Sequence, residues 1–289
     1  MHHDEANQLG QYIPLHYHHH MLGDLARTST FKAAIASVVP LGGRVLELGS
    51  GTGVLSSFAA QRAAQVTAIE FNPQLVKTSR SILEQNGCSD KVTVLHADAS
   101  SYMPPEPVDA VICEMLHSAL LREKQLEIIR GFKQRYQARF ASLPRFIPEA
   151  TILAAQPMWQ NYSYLGYNAP LPLFQDAASH HERSGECAPP LSYACIDYHD
   201  ACPEHFEANL RFEIAEACEV NAVRFVTKNL LAILPQEQRS IDWNNQHLVL
   251  PLQEPINAAA GDCLEIHFAY QAGGSIESLS ETLRCARVN

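Results

Sequence analysis

The chain has 289 residues, 46% hydrophobic and 18% charged, which suits a globular protein of one large or two modest domains. Its net charge of −10 argues against a nucleic-acid surface, which needs a basic face, and permits a cationic substrate. No apolar run approaches the roughly 20 residues of a membrane span, and the polar N-terminus lacks the apolar core of a signal peptide. Eight cysteines without a C-x-x-C pair read as reduced thiols of a cytoplasmic protein, not as a zinc site or a disulfide framework.

Residues 1–20 hold six of the fourteen histidines, His2, His3, His16, His18, His19 and His20, beside Tyr12 and Tyr17. Such a cluster suits a metal or an arm that orders over a ligand. Histidines at adjacent helix positions cannot converge on one ion, however, and no matching ligand set appears elsewhere, so no metal site is assigned. Met21, Leu22, Leu25, Phe31, Ile35 and Val38 predict a helix over 19–38, ended by the turn Pro40-Leu-Gly-Gly43. Residues 44–113 alternate: strands at 44–48, 66–70, 92–96 and 108–113, with helices near 54–63 and 73–86 between them. That alternation implies a parallel sheet with helices on both faces and a ligand site beyond the carboxyl ends of the strands. A helix over 119–142 follows, broken by Pro144 and Pro148. From 149 onward, runs such as Thr151–Ala155, Leu210–Ile214, Ala222–Val226, His247–Leu250 and Leu264–Tyr270 predict an antiparallel β half. Residues 157–190, rich in Pro, Tyr, Asn and Ser, form an inserted segment too long for an idle loop.

Two stretches carry chemistry. In the first, the run Arg44-Val-Leu-Glu-Leu enters a loop with glycines at 49, 51 and 53, and the next apolar run ends in Glu70, 21 residues beyond Gly49. Glycines there let the backbone turn and approach a ligand. An acid at that distance suits ribose hydroxyls. A dinucleotide fingerprint would read G-x-G-x-x-G; here the pattern is G-x-G-x-G preceded by Glu47, which would repel a pyrophosphate and suit the cationic amino group of S-adenosylmethionine (AdoMet). This pattern resembles the class I AdoMet-dependent methyltransferases. By that resemblance, the turn Asp98-Ala99-Ser100 after the third strand faces the adenine. In the second stretch, Glu114-Met-Leu-His-Ser-Ala-Leu-Leu-Arg-Glu123, one acid ends a core strand and the other opens a helix. Two carboxylates brought together by such a loop can hold a planar guanidinium through paired charge-assisted hydrogen bonds.

With these loops and Tyr12, His18, Met21-Leu22, Asp24 and Arg27-Thr28 ahead of them, the chain is similar from about Tyr12 to Leu279 to the protein arginine methyltransferases. The resemblance implies a Rossmann-like parallel sheet followed by an antiparallel β-barrel-like domain. The domains would be an N-terminal arm and capping helix (1–40), an AdoMet-binding domain (41–147) and a β-rich substrate domain (148–289) with a dimerisation arm near 157–190. It also implies AdoMet held by Met21, Arg27, Glu47, Gly49, Gly51, Gly53, Glu70, Asp98, Ala99 and Ser100. Glu114 and Glu123 would be catalytic, Tyr12, His18, His117, Asp242 and Trp243 would lie at the substrate, and the protein would be a head-to-tail homodimer. The chain also departs from the family. Ile241-Asp242-Trp243 replaces a Thr-His-Trp, so Asp24 and Asp242 are expected to face each other. Met115-Leu-His117 replaces a Trp-Met-Gly, and Gln125 stands where the family has its second product-controlling methionine. A changed loop means a changed acceptor: a small molecule or a peptide, without nucleic acid or membrane. An N- or O-methyltransferase of a non-guanidine acceptor, with His117 as base, is the alternative.

Overall fold

The computed structural model describes residue 13 and residues 15–179 and 182–288. Tyr12, His2 and His3 lie outside them, as do the side chains of Leu15 and His16. Two helices open the fold, α1 (Leu15–Gly23) and α2 (Leu25–Val38). The single helix predicted over 19–38 is divided because Asp24 caps a fresh start: its Oδ1 accepts from the Arg27 N–H at 2.9 Å. Phe31, Ala34, Ile35 and Val38 then bury one face of α2.

The alternating segment folds as β1 (Arg44–Leu48), α3 (Val54–Ala60), β2 (Gln65–Glu70), α4 (Pro73–Gln85), β3 (Val92–His96), β4 (Ala110–Cys113), α5 (Gln125–Phe140) and β5 (Arg145–Ile147). All pairings are parallel, in the order β3-β2-β1-β4-β5. Asn72 caps α4 by accepting from the Gln74 N–H, with Pro73 in the first turn, and Gly87 takes φ +66° just past its end. The order reverses between β1 and β4, whose last paired residues are Leu48 and Cys113. The glycine loop and Glu114 therefore leave the sheet side by side, at the position where open α/β sheets bind ligands.

The helix predicted from 119 begins six residues later, at Gln125. Residues 118–120 make one tight 3-10 turn, and Ala119, Leu120 and Arg122 have φ of 56°, 53° and 59°. The β half holds them there. Ala119 N–H donates to Thr227 Oγ1 at 2.6 Å, Ser118 Oγ to the Gln246 carbonyl at 2.5 Å, and Arg122 N–H to the Gly274 carbonyl at 2.8 Å. Tertiary hydrogen bonds override the helical periodicity of the sequence.

The β half comprises β6 (Ala150–Gln160), β7 (Ser163–Tyr164), β8 (Tyr167–Asn168), β9 (Leu173–Gln175), β10 (Ser184–Glu186), β11 (Leu191–Asp197), β12 (His205–Glu213), β13 (Cys218–Leu234), β14 (Arg239–Asn244), β15 (His247–Ala258) and β16 (Cys263–Gln271). A short helix, α6 (Ile276–Thr282), and β17 (Arg284–Val288) complete it. All strand pairs here are antiparallel. β10-β6-β13-β15-β9 form the main sheet, with β11 on β6 and β14 on β13, and β12-β16-β17 form a second sheet. Phe225 of β13 and Tyr193 of β11 stand edge-on to Phe268 of β16, with ring centroids 5.1 and 4.9 Å apart, and so join the two sheets. Within 157–190, β6 runs on to Gln160 and β9 and β10 pair with β15 and β6, while β7 and β8 form a separate hairpin. Among the described residues no helix is long and apolar enough to cross a membrane.

Candidate active site

The glycine loop is a turn that only glycine fits comfortably. Gly49, Gly51 and Gly53 have φ of 74°, 53° and 81°. A Cβ on Gly49 would lie 3.0 Å from Met115 Cε, and one on Gly51 would lie 3.1 Å from His18 Cε1. The N–H groups of Gly49 and Ser50 both donate to the Ile69 carbonyl at 2.9 Å, and Glu70 fixes the rest. One Glu70 oxygen accepts from the Gly51 N–H at 2.9 Å and the other from the Asn72 N–H at 2.8 Å. The acid at the end of β2 thus stands directly over the loop.

Glu47, on β1, is 3% exposed and accepts from Ser56 Oγ of α3. Burial pushes its pKa up to about 8. The Ser56 hydrogen bonds act in the opposite direction, and the negative neighbours Glu114 and Glu70 add to the rise. Without a cation beside it, this carboxyl is mostly protonated at pH 7.

Arg27, on α2, reaches across to Glu114 and forms an ion pair whose side chains are 8% and 15% exposed. Its guanidinium lies 5.4 Å from the centroid of the Phe31 ring and 6.0 Å from that of Trp243. Burial would lower the Arg27 pKa, but Glu114 outweighs it and the net shift is upward, with Asp24 and Glu123 adding to it. Burial raises the Glu114 pKa against the pull of Arg27. Glu123 is half-buried and has no ion-pair partner among the described residues; burial and the Glu114 charge push its pKa up to about 8. Two acids therefore share one internal cation, and the second carries an electrostatic deficit that another cation would relieve.

The other predicted positions fall at several places. His18 turns inward onto Gly51, with its pKa lowered by burial, while His19 and His20 are exposed. Among the described residues no three acids, cysteines or histidines gather as metal ligands. Met21 is half-buried on α1. Asp98 accepts from the Ser100 N–H at 2.8 Å in an exposed turn after β3, and Ala99 is buried. The His117 ring stands edge-on to Phe174 at 5.6 Å, and burial drops its pKa to about 4, so it is a neutral and weak base. Trp243 packs on Phe31 at 6.1 Å. The expected confrontation of Asp24 and Asp242 does not occur. Asp24 caps α2, and Asp242 pairs at 2.9 Å with Lys228 of the neighbouring strand, which neutralises it.

Sequence reading named Met115, Phe31 and Gln125 but not the contacts they make here, above all those of Gln125. A glutamine at 125 falls on the same helix stripe as Ile129, Phe132 and Tyr136. A buried amide must find partners, and that was the available signal.

The pocket fits AdoMet on its own terms. Buried Ser50 Oγ and His18 Nε2, both beside the glycine turn, lack hydrogen-bond partners among the described residues. Glu47 of β1 is buried without a counter-charge and Glu70 of β2 is bonded to the loop itself, so two acids flank the glycine turn. Residues 45–135 match a methyltransferase domain family. Across 92% of its length the chain is 27% identical to an uncharacterised protein of Methanocaldococcus jannaschii, covering 96% of that protein. Over 123 residues it is 32% identical to the arginine N(omega)-methyltransferase of Streptomyces achromogenes subsp. streptozoticus. The chain is an AdoMet-dependent methyltransferase resembling the arginine N-methyltransferases. The Streptomyces match spans 41% of this methyltransferase and about a third (34%) of the relative. The fold matches the Trypanosoma brucei PRMT1 enzyme–prozyme heterotetrameric complex with AdoHcy at a TM-score of 0.72 and 16% identity, over 94% of this chain and 98% of that one.

Proposed function

We propose that this methyltransferase moves the AdoMet methyl group to a guanidinium nitrogen of arginine or of an arginine-like small molecule or peptide, and that it works as a head-to-tail homodimer. The observation that carries the acceptor is the Arg27–Glu114 ion pair beside the under-compensated Glu123. Glu114 already holds one planar guanidinium, that of Arg27, and Glu123 beside it is an acid that a second cation would return to its charged form. Glu114 and Glu123 orient the acceptor and draw its positive charge toward the bonded nitrogens, leaving the lone pair of the remaining one free. AdoMet, when bound, supplies a methyl group on positively charged sulfur. The part of this chain is to hold the acceptor nitrogen with its lone pair free toward the methyl group that AdoMet would supply, and to leave the proton that this nitrogen gives up a path to solvent. Glu47 and Arg27 serve the methionine end, Glu70 the ribose, and the turn at Asp98–Ser100 the adenine. Most of the rate comes from positioning in a site flanked by Met115, Phe31 of α2 and Trp243 of β14. His117 is too weakly basic to favour the alternative acceptor chemistry. For the dimer, the support is the arm: Tyr164, Leu165, Tyr167, Leu171 and Phe174 are exposed apolar side chains within eleven residues.

The test is transfer of labelled methyl from AdoMet to free arginine, arginine peptides and a panel of guanidines and amines, with products read by mass. A gain of one methylene on a guanidinium nitrogen is expected. Glu114→Gln and Glu123→Gln should each lower turnover at least about a hundredfold while AdoMet still binds. Full activity in both variants, or transfer to amines alone, ends the guanidinium reading.

A further inference from the structure

We infer that Gln125 is a positioning residue which fixes the Glu114 carboxylate and its separation from Glu123; this deepens the double-glutamate reading above and rests on it. β4 is the last place where the chain before Glu114 is held by the parallel sheet. Its ladder to β1 ends at the pair Leu48 and Cys113, and its ladder to β5 ends at Ile112 and Ile147. Beyond that point the backbone polar groups around Glu114 have no strand to pair with, in a stretch where Cys113 is buried and Glu114 and Met115 are half-buried. The Gln125 side chain takes the place of the missing strand. It is fully buried, at 0% exposure. Its Nε2 donates to the Cys113 carbonyl at 2.7 Å, and its Oε1 accepts from the Met115 N–H at 2.9 Å. One amide thus grips the chain on both sides of Glu114 with the donor–acceptor pattern of a β ladder. The Cys113 thiol adds a weak donor to the same oxygen at 3.4 Å.

Two further contacts make the grip rigid. The Gln125 side chain lies beside the Tyr198 hydroxyl, which is 2.8 Å from Thr151 Oγ1. Thr151 donates to Asn229 Oδ1 at 2.9 Å, Asn229 Nδ2 to Asn245 Oδ1 at 2.8 Å, and Asn245 Nδ2 to the Leu116 carbonyl at 3.0 Å. The buried polar chain that starts at Tyr198, beside Gln125, returns to the same loop two residues past Glu114, so the β half supports the loop as well. Gln125 also begins α5 two residues after Glu123. The residue that holds Glu114 is covalently next door to the other acid, and a shift of one carboxylate relative to the other requires breaking the amide grip. An apolar side chain of equal length at 125 would fill the space and leave the Cys113 carbonyl and Met115 N–H unpaired.

The experiment compares wild-type enzyme with Gln125→Met and Tyr198→Phe. It uses two readouts: hydrogen exchange of the Met115 amide, and steady-state kinetics with the best acceptor found in the methyl-transfer screen. In wild type the Met115 amide exchanges slowly, as an amide bonded to a fully buried side chain does. In Gln125→Met it exchanges at least about tenfold faster. There kcat falls about 10- to 100-fold while the KM for AdoMet moves less than about threefold, because misplacement acts on the transition state and not on cofactor binding. Tyr198→Phe, which keeps the amide and removes only its outer support, gives a smaller change in the same direction. A Met115 amide that exchanges as fast as exposed loop amides in wild type overturns the inference, even if no variant folds. So does unchanged exchange and kcat in Gln125→Met. Exchange does not depend on the acceptor, so loss of the guanidinium reading leaves this outcome separately visible.

Discussion

Replacing Glu47 with glutamine should make the ligand-free protein more stable at neutral and alkaline pH while impairing its hold on AdoMet. The folded-state pKa is pushed up to about 8 from the ordinary glutamate value of 4.5. An acid whose pKa rises on folding binds more protons folded than unfolded between those two values, so its contribution is fully present at low pH and is lost as pH rises toward 8. At about 1.4 kcal/mol per pKa unit, the gap is worth up to ~5 kcal/mol across the window and ~3 kcal/mol at pH 7. Urea unfolding of both proteins from pH 5 to 8.5 checks it. Glu114 and Glu123 titrate in both, so the difference between the two curves isolates Glu47. The expected difference widens by about 1.4 kcal/mol per pH unit and flattens above pH 8. Titration of AdoMet by calorimetry supplies the functional half: wild type binds more tightly as pH rises toward 8 and releases a proton on binding, and Glu47→Gln does neither. Parallel stability curves in the two proteins would refute the burial reasoning. A pH-independent AdoMet affinity in wild type would remove Glu47 from the cofactor.

Arg27→Ala leaves the Glu114 carboxylate buried without its counter-charge and should cost about 3 kcal/mol of stability, much of it returned by adding Glu114→Gln. A loss under about 0.5 kcal/mol in urea melts would show that the pair is solvated, as surface pairs are. Gly51→Ala sets a side chain at φ +53° against His18 and should destabilise by about 1–2 kcal/mol, with weaker AdoMet binding measured by calorimetry. Leu165→Asp, at the fully exposed tip of the arm hairpin, should turn a dimer into a monomer in sedimentation runs without lowering the melting temperature; a monomeric wild type would dispose of the dimer.

Local chemistry made much of the molecule legible from its residues. Strand β1, the glycine turn, strand β2 and Glu70 are continuous in sequence. Their roles follow from period-two and 3.6-residue patterns and from positive φ angles that only glycine takes comfortably. Parallel order follows from alternation, because a crossover helix must separate each pair of strands. Even the nearness of Glu114 and Glu123, close enough for the charge of one to raise the pKa of the other, was expected from the spacing between a strand end and a helix start.

What the tertiary structure alone decided involves partners far apart in the chain. Arg27 meets Glu114 across 87 positions, and Lys228 reaches Asp242 diagonally across the β13–β14 ladder, in which Lys228 pairs with Asn244 and Leu230 with Asp242. The loop from 118 to 124 loses its helix to hydrogen bonds with Thr227, Gln246 and Gly274. The pKa values near 8 of Glu47 and Glu123 arise from burial, which no spacing encodes. Gln125 is a polar residue on an apolar stripe in sequence; it becomes the brace of Glu114 only once β4 has run out of neighbours and left a carbonyl and an N–H for it to satisfy.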